Sequence, residues 1–238
     1  MSKIRSFALF LVVFLASVNS YASSIGVFLP GIKSATKVTE VLKTDAAFNG
    51  FEIFVFAKFK DFSIALKSKN FEHIITTSNF LIYTKNIEYK PIFQFVVDGK
   101  EDFQYRLVTL DKKWNKQNFL DGTMVVVETL ERQETKDFVS DVLGVDQVKR
   151  IKNISKVEDL LPILAMANAD VALVSPEMIS FIKQNFKAEP AELSAGKKLP
   201  QFMLASRKGN EEKAKAFSSL AKDSLVAMGA SGLKPASL

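Results

Sequence analysis

The chain contains no cysteine, and histidine and tryptophan each occur only once among its 238 residues. Without cysteine no disulfide can form, and no lipidated cysteine can hold the protein on a membrane. A zinc site would have to be built from several carboxylates, so no metal ion is expected. The sequence also lacks a P-loop and a Gly-x-Gly-x-x-Gly turn, and no nucleotide or other cofactor is expected.

The residues that a catalytic site would need are equally scarce. The only histidine, His73, precedes an apolar segment, and Ser175 does not belong to a Gly-x-Ser-x-Gly turn. A catalytic triad needs a base beside its nucleophile. We therefore expect His73 to have a structural role, the single tryptophan, Trp114, to pack against other side chains, and the protein not to be an enzyme.

Charge and hydropathy exclude a further class of partner. Basic residues number 32 and acidic residues 26, and the two signs are mixed along the chain, which carries a formal charge of +6. Because no arginine-rich block or basic surface stripe is evident, a nucleic-acid partner is not expected. With 47% hydrophobic residues, the chain can bury the core of one domain or of two small lobes.

The first 22 residues have the pattern of a secretory signal peptide. Lys3 and Arg5 form a basic start, residues 7–18 are apolar, and Ser20-Tyr21-Ala22 has small residues at the positions that precede a cleavage site. The alternative is an uncleaved anchor, but the apolar run is shorter than the roughly 20 residues that span a bilayer. The pattern predicts export, cleavage after Ala22, and no membrane insertion after that cleavage.

The rest of the chain alternates between strand and helix patterns in two runs. The first run has apolar strands near residues 25–29, 51–56 and 74–76, and the second has strands near 123–127 and 171–174. Such alternation predicts α/β units with mainly parallel sheets. Between the runs, residues 91–97 and 105–110 look extended, with no helix between them.

Two helices have specific features in the sequence. Ser155 and Glu158 have the spacing of a capping box for a helix in which Pro162 should cause a kink. A long helix is predicted over residues 211–228, and the tail after Gly229 is expected to be frayed.

The ends of the predicted strands carry small and polar residues that are candidates for a binding site. In doubly wound sheets, ligands lie beyond the carboxyl ends of the strands, where amides and hydroxyls are available. Each candidate could equally be an ordinary polar turn. The predicted ligand-binding residues are Gly31, Thr76, Thr77, Ser78, Glu128, Thr129 and Ser175.

Two segments carry a resemblance to a known family. These are residues 156–176, which run into ANADVALVSPEMISFI, and residues 193–220, LSAGKKLPQFMLASRKGNEEKAKAFSSL. With the order of elements, they make the chain resemble the type 2 periplasmic solute-binding proteins, in particular the phosphate/phosphonate-type branch. The resemblance implies a two-lobed fold with two crossing strands as a hinge, placed at residues 105–110 and 199–204. The first lobe would comprise residues 23–108 and 200–238, and the second lobe residues 109–199.

The resemblance also implies a function. The protein would be a monomeric periplasmic protein that closes two lobes on a small polar or anionic ligand and serves an ABC transporter permease. The alternative is a scaffold without a transport role that acts by binding another envelope protein. One segment departs from the family: its anion-binding members have a Ser/Thr/Gly-rich turn where this chain has Glu128 and Glu131. Two carboxylates oppose an anion there, and Glu128 would suit an amine on a zwitterionic ligand.

Overall fold

The computed structural model describes residues 23–85, 87–111, 119–185 and 191–236. The predicted signal peptide, residues 1–22, and Trp114 lie outside these ranges. The described strands are β1 (Ser23–Phe28), β2 (Phe51–Phe56), β3 (His73–Thr76), β4 (Tyr89–Val96), β5 (Asp102–Thr109), β6 (Thr123–Val127), β7 (Arg150–Ile154), β8 (Val171–Val174), β9 (Ala191–Pro200), β10 (Met203–Arg207) and β11 (Gly232–Pro235).

Helices alternate with these strands through most of the chain. They are α1 (Ala35–Thr44), α2 (Phe59–Lys69), α3 (Ser78–Tyr83), α4 (Arg132–Leu143), α5 (Leu160–Ala165), α6 (Pro176–Asn185), α7 (Glu211–Ala214) and α8 (Lys222–Ala227). Short 3₁₀ helices cover Ala46–Phe48, Phe119–Asp121, Val157–Asp159 and Lys215–Ser219.

The strands form two mixed sheets. The first has the order β11-β4-β10-β3-β1-β2, and the second has the order β7-β6-β8-β5-β9. Strand β1 is parallel to β2 and β3, and β6 is parallel to β7 and β8, as the alternation of strands and helices predicted. Strands β10 and β11 pair antiparallel in the first sheet, and β5 pairs antiparallel with β8 and β9 in the second.

Helix α1 shows why the alternating segments fold as they do. Ser34 lies at its N-cap, where the side-chain oxygen accepts a hydrogen bond from the backbone N–H of Lys37 at 3.3 Å. Val38 and Leu42, four residues apart, are its buried residues. They pack in a cluster with Ile25 and Val27 of β1. The helix is therefore fixed by a capped start and one apolar stripe.

Two connections carry the chain between the sheets. The first is the turn at Asp98 and Gly99, both with positive φ, and the second is the segment Gln201-Phe202 between β9 and β10. Backbone hydrogen bonds join the two connections, which run side by side. The Gln201 N–H donates to the Glu101 carbonyl at 2.9 Å, and the Phe95 N–H donates to the Phe202 carbonyl at 3.0 Å.

The outgoing crossing therefore lies earlier in the chain than the sequence suggested. Strand β5 pairs along 102–109 with strands of the second sheet alone, so the crossing predicted at residues 105–110 was wrong. The predicted lobe boundary at Val108 falls inside this strand. We propose lobe boundaries near residues 97–101 and 200–202 instead.

The predicted capping box and kink are not found. The 3₁₀ turn Val157–Asp159 starts after Lys156, whose side chain makes no cap hydrogen bond. Helix α5 begins at Leu160, so Pro162 lies in its first turn. The first amides of a helix have no partner within the helix, and a proline there removes no hydrogen bond.

The C-terminal region also differs from its predicted form. The helix predicted over 211–228 is interrupted at Leu220 and Ala221, whose backbones are extended. The Ala221 N–H instead donates to the buried carboxylate of Asp45 at 2.8 Å. The tail expected to fray forms β11, which pairs with β4. The hydrogen bond from Ala221 to Asp45 therefore takes the place of the one that the Ala221 N–H would donate within a continuous helix.

A close backbone approach in β1 gives a first testable prediction. A Cβ atom at Gly26 would lie 2.8 Å from ring atoms of Phe71, which is fully buried. Gly26→Ala should therefore lower the free energy of unfolding by about 2 kcal/mol through overpacking. Gly232→Ala in β11 is the matched control, because its nearest contact would be an ordinary 3.7 Å to Val96. Urea denaturation of both variants measures the difference, and equal stabilities would contradict the prediction.

Candidate functional site

A cleft of about 680 Å³ lies between the two sheets. Its walls come from the β1–α1 connection, the α3 start, the β6 and β8 ends, both crossing segments, and the region around Met228. The volume is in the range of about 300–1,000 Å³ typical of small-molecule sites. The cleft is therefore large enough to hold a metabolite between the lobes.

Five of the seven predicted site residues line this cleft. Gly31, Thr77 and Ser78 come from the first sheet's side, and Thr129 and Ser175 come from the second. Each follows a parallel strand, so the strand ends of both sheets do converge here. Gly31 has φ +87, and a Cβ there would lie 3.4 Å from a methyl group of Val157 across the cleft. The two lobes thus approach closely at this point of the mouth.

The other two predicted residues do not line the cleft. Thr76 is fully buried, and its hydroxyl has no hydrogen-bond partner among the described residues. Glu128 is not among the lining residues, although its neighbours Val127 and Thr129 are. Its backbone N–H continues the pairing with β7 by donating to the Ile154 carbonyl at 2.8 Å.

Hydrogen bonds at the floor of the cleft join the two lobes. The Asn79 side-chain amide donates to the Thr129 hydroxyl oxygen at 2.6 Å, and Asn79 is 1% exposed. The Ser78 hydroxyl donates to the Pro200 carbonyl at the return crossing. Two of the predicted ligand-binding hydroxyls are therefore already engaged in holding the lobes together.

The end of β3 also carries buried polar atoms that lack partners. They are the hydroxyls of Thr76 and Thr77 and the side-chain oxygen of Asn79, none of which has a hydrogen-bond partner among the described residues. Buried polar groups are normally satisfied, and exceptions call for an explanation. All three groups are uncharged, and of the three residues Thr77 lines the cleft.

Sequence reasoning missed the four charged residues that line the cleft. Lys33 and Lys37 belong to the first sheet's side, and Glu158 and Glu177 belong to the second. All four are exposed, and none forms an ion pair within the described part of the chain. The cleft lining thus carries positive charge on the first sheet's side and negative charge on the second sheet's side.

Residues of the crossing region were also missed. Val97, Phe103, Tyr105, Gln201 and Phe202 line the cleft. No local periodicity distinguishes them from other strand residues, because they reach the cleft only through the packing of the two sheets. Burial raises the pKa of the Tyr105 hydroxyl, and Glu177 and Tyr83 add to the rise, so this hydroxyl stays protonated.

Helix α4 contacts the first lobe beside the cleft. Its Phe138 packs against Tyr83 of α3, and Asp141 accepts hydrogen bonds from the Tyr83 hydroxyl and, at 2.7 Å, from Lys197. The Lys197 and Tyr83 hydrogen bonds lower the pKa of Asp141. Lys67–Glu131 and Lys85–Asp137 ion pairs lie on the surface, where such pairs contribute little. Apolar packing therefore dominates this junction.

Other kinds of site find no support in the described ranges. No group of three or more His, Asp or Glu side chains there could hold a metal ion. No described helix has the length and apolar character needed to cross a bilayer. His73 is fully buried against Ser206 and does not line the cleft.

Comparison with known proteins gives structural matches only. No protein-family model and no curated protein matches the sequence. XAC2383 from Xanthomonas citri, bound to chloride ion, is 12% identical with a TM-score of 0.68 over 90% of this chain and 91% of that one. The binding protein component of an ABC phosphonate transporter from Pseudomonas aeruginosa is 14% identical, with a TM-score of 0.65 over 90% and 82%.

A third match is PhnD1 from Prochlorococcus marinus in complex with methylphosphonate. It is 9% identical, with a TM-score of 0.63 over 92% of this chain and 93% of that one. Identities this low show the fold alone. The predicted two-lobed α/β fold of the type 2 periplasmic binding proteins is confirmed. The sheets are mixed rather than mainly parallel as predicted, because the strands of the crossing region and the C-terminal strands pair antiparallel.

Proposed function

We propose that the protein is a periplasmic solute-binding protein that closes its two lobes on a small molecule. The observation that carries the proposal is the cleft of about 680 Å³, which is lined by strand ends of both sheets. Ligands of α/β sheets lie at such carboxyl ends. Proteins of this fold bind methylphosphonate in one case and ATP in another, which supports a small-molecule role for the cleft.

The location and partners follow from the same proposal. The basic and apolar start of the sequence is that of an exported protein, and one structural neighbour is the binding component of an ABC transporter. We therefore propose a monomeric, non-catalytic receptor in the periplasm that delivers its ligand to an ABC permease. The lobes are held by two crossing segments, which can act as a hinge between an open and a closed state.

Calorimetry with a panel of small molecules tests the proposal. The panel should include methylphosphonate, inorganic phosphate, ATP, the amino acids and uncharged aromatic compounds. At least one should bind with a stoichiometry of about one, since the proposed site is the cleft between the lobes. If none binds and the protein instead co-purifies with a stable envelope protein, the solute-binding proposal fails and a scaffold role replaces it.

A matched glycine pair locates the binding site. In Gly31→Asn the new side chain would press on Val157 at the cleft mouth and hinder closure. Gly50→Asn is the control, because Gly50 has a similar φ of +84 and open space around it. Both variants pay a comparable backbone cost, and asparagine tolerates this region. Gly31→Asn should weaken binding by about tenfold, equivalent to about 1.4 kcal/mol. Equal affinities in the two variants would place the site elsewhere.

A further inference from the structure

Most of the surface inside the cleft is apolar. Aliphatic side chains approach it from both lobes, and the aromatic side chains of Phe103, Tyr105 and Phe202 come from the crossing region. The four charged residues among its described lining are all exposed, as is expected of residues at the mouth. A ligand inside the cleft would therefore meet mainly apolar surface.

Three helix starts around the cleft are poorly equipped for an anion, whereas the start of α1 has the exposed side chains of Lys33 and Lys37 beside it. Helix α6 begins at Pro176, which has no backbone N–H to donate. The start of α4 carries the carboxylate of Glu131, which pairs with Lys67 and Ser63. Helix α3 is only six residues long, and the hydroxyl of its first residue, Ser78, is used by Pro200. Burying an uncompensated charge in such surroundings is costly.

The hydrogen-bonding groups that remain available to a ligand in the cleft interior are uncharged. The Thr77 hydroxyl is buried and lacks a partner among the described residues, and Thr77 lines the cleft. The lining also includes Gln201 and the protonated hydroxyl of Tyr105. These groups can exchange hydrogen bonds with a hydroxyl, amide or carbonyl group without needing a counter-ion.

We propose that the ligand is a molecule with an apolar, ring-sized or branched hydrocarbon body and one uncharged hydrogen-bonding group. The inference rests on the proposed solute-binding function and narrows it to a ligand class. The body lies against the aromatic and aliphatic walls, and the polar group faces the Thr77 hydroxyl, Gln201 and the Tyr105 hydroxyl. This class differs from the methylphosphonate bound by PhnD1 from Prochlorococcus marinus.

A pair of probes with one hydrocarbon body separates the ligand classes. Calorimetry with 2-naphthol, which is uncharged at neutral pH, is compared with calorimetry with 2-naphthalenesulfonate, which is an anion. We expect 2-naphthol to bind at least about tenfold more tightly, a difference of about 1.4 kcal/mol. Methylphosphonate should give no heat of binding. Tighter binding of the sulfonate or of methylphosphonate would overturn the inference.

Two phenylalanine variants show whether the probe occupies the cleft. Phe103→Ala removes a half-buried ring from the cleft wall, and Phe54→Ala removes a half-buried ring from β2, outside the cleft. Affinity for 2-naphthol should fall about tenfold in Phe103→Ala and stay unchanged in Phe54→Ala. Equal affinities would mean that the probe binds elsewhere, and the inference would fail.

The same measurements distinguish this failure from failure of the proposed function. If a charged panel member binds and Gly31→Asn weakens it, the protein binds a solute and only the ligand class is wrong. If neither the two probes nor any panel compound binds, both the ligand class and the solute-binding function are wrong.

Discussion

Phe138→Ala should lower the free energy of unfolding by about 3–5 kcal/mol, the range found when a buried aromatic side chain is truncated. Phe138 is 1% exposed on helix α4. Its ring centroid lies 5.3 Å from that of Tyr83 and 5.1 Å from that of Tyr105, both in edge-on geometry. Tyr83 belongs to the first lobe, so removing this ring opens a cavity at the junction of the lobes. Urea denaturation measures the loss.

Phe62→Ala is the matched control for this variant. Phe62 is fully buried and contacts the rings of Phe28, Phe56 and Phe80, all in the first lobe. The same atoms are lost, and the stability loss should be similar. Only Phe138→Ala should also loosen the lobes, seen as a larger radius of gyration in solution scattering. A loss below about 1 kcal/mol in Phe138→Ala would show that the ring does not hold this junction.

The strand-and-helix alternation was enough to predict the two sheets and much of the cleft lining. Gly31, Thr77 and Ser175 each follow a parallel strand, and parallel strands within one sheet end at the same edge. The cleft also needs the two edges to face each other, which the resemblance implied and the structure shows. At these positions, identifying the strand in the sequence was therefore enough to predict which side chains lie at the edge of the sheet.

The crossing region could not be predicted in the same way. Strand β5 is antiparallel to its neighbours and joins strands β8 and β9, which come much later in the chain. An extended apolar segment does not show which sheet it will join. For that reason the lobe boundary was placed inside β5, and Phe103 and Tyr105 were not recognised as cleft residues.

Two further differences concern the C-terminal helix and Glu128. The C-terminal helix is interrupted because the buried Asp45 carboxylate, which also accepts from the Ala47 N–H at 3.0 Å, takes the Ala221 N–H. No local sequence signal connects residues 176 positions apart. Glu128 was predicted from its place after a strand, but the cleft lining includes its neighbours Val127 and Thr129 and not Glu128.

Lowering the pH from 7 to 4 should remove about 3 kcal/mol of stability through His73 alone, because burial lowers the pKa of His73 to about 4. The Glu72 carboxylate opposes this shift, and Lys213 adds to it. The unfolded chain binds a proton at an ordinary histidine pKa near 6.5, whereas the folded chain does not until about pH 4. Stability is therefore fully present above about pH 6.5 and falls as the pH drops towards 4.

The surroundings of His73 explain why it stays neutral in the folded protein. Its Nδ1 atom lies 2.6 Å from the Ser206 hydroxyl oxygen, and that hydroxyl donates to the Asn210 carbonyl. Nδ1 must then carry the proton. Nε2 has no partner among the described residues, and the rings of Phe51 and Phe217 lie edge-on to the imidazole. A second proton at Nε2 would be a buried charge without an acceptor.

His73→Gln isolates this contribution from that of the carboxylates. Glutamine keeps a hydrogen-bonding group beside Ser206 but does not titrate. Glu72 and Asp141, whose pKa values are lowered by their partners, also lose stabilising charge in acid, but at lower pH than His73. Unfolding free energies of the two proteins should therefore converge as the pH falls from 6.5 to 4.5. A wild-type curve that runs parallel to that of His73→Gln over this interval would show that His73 is already accessible to protons in the folded state.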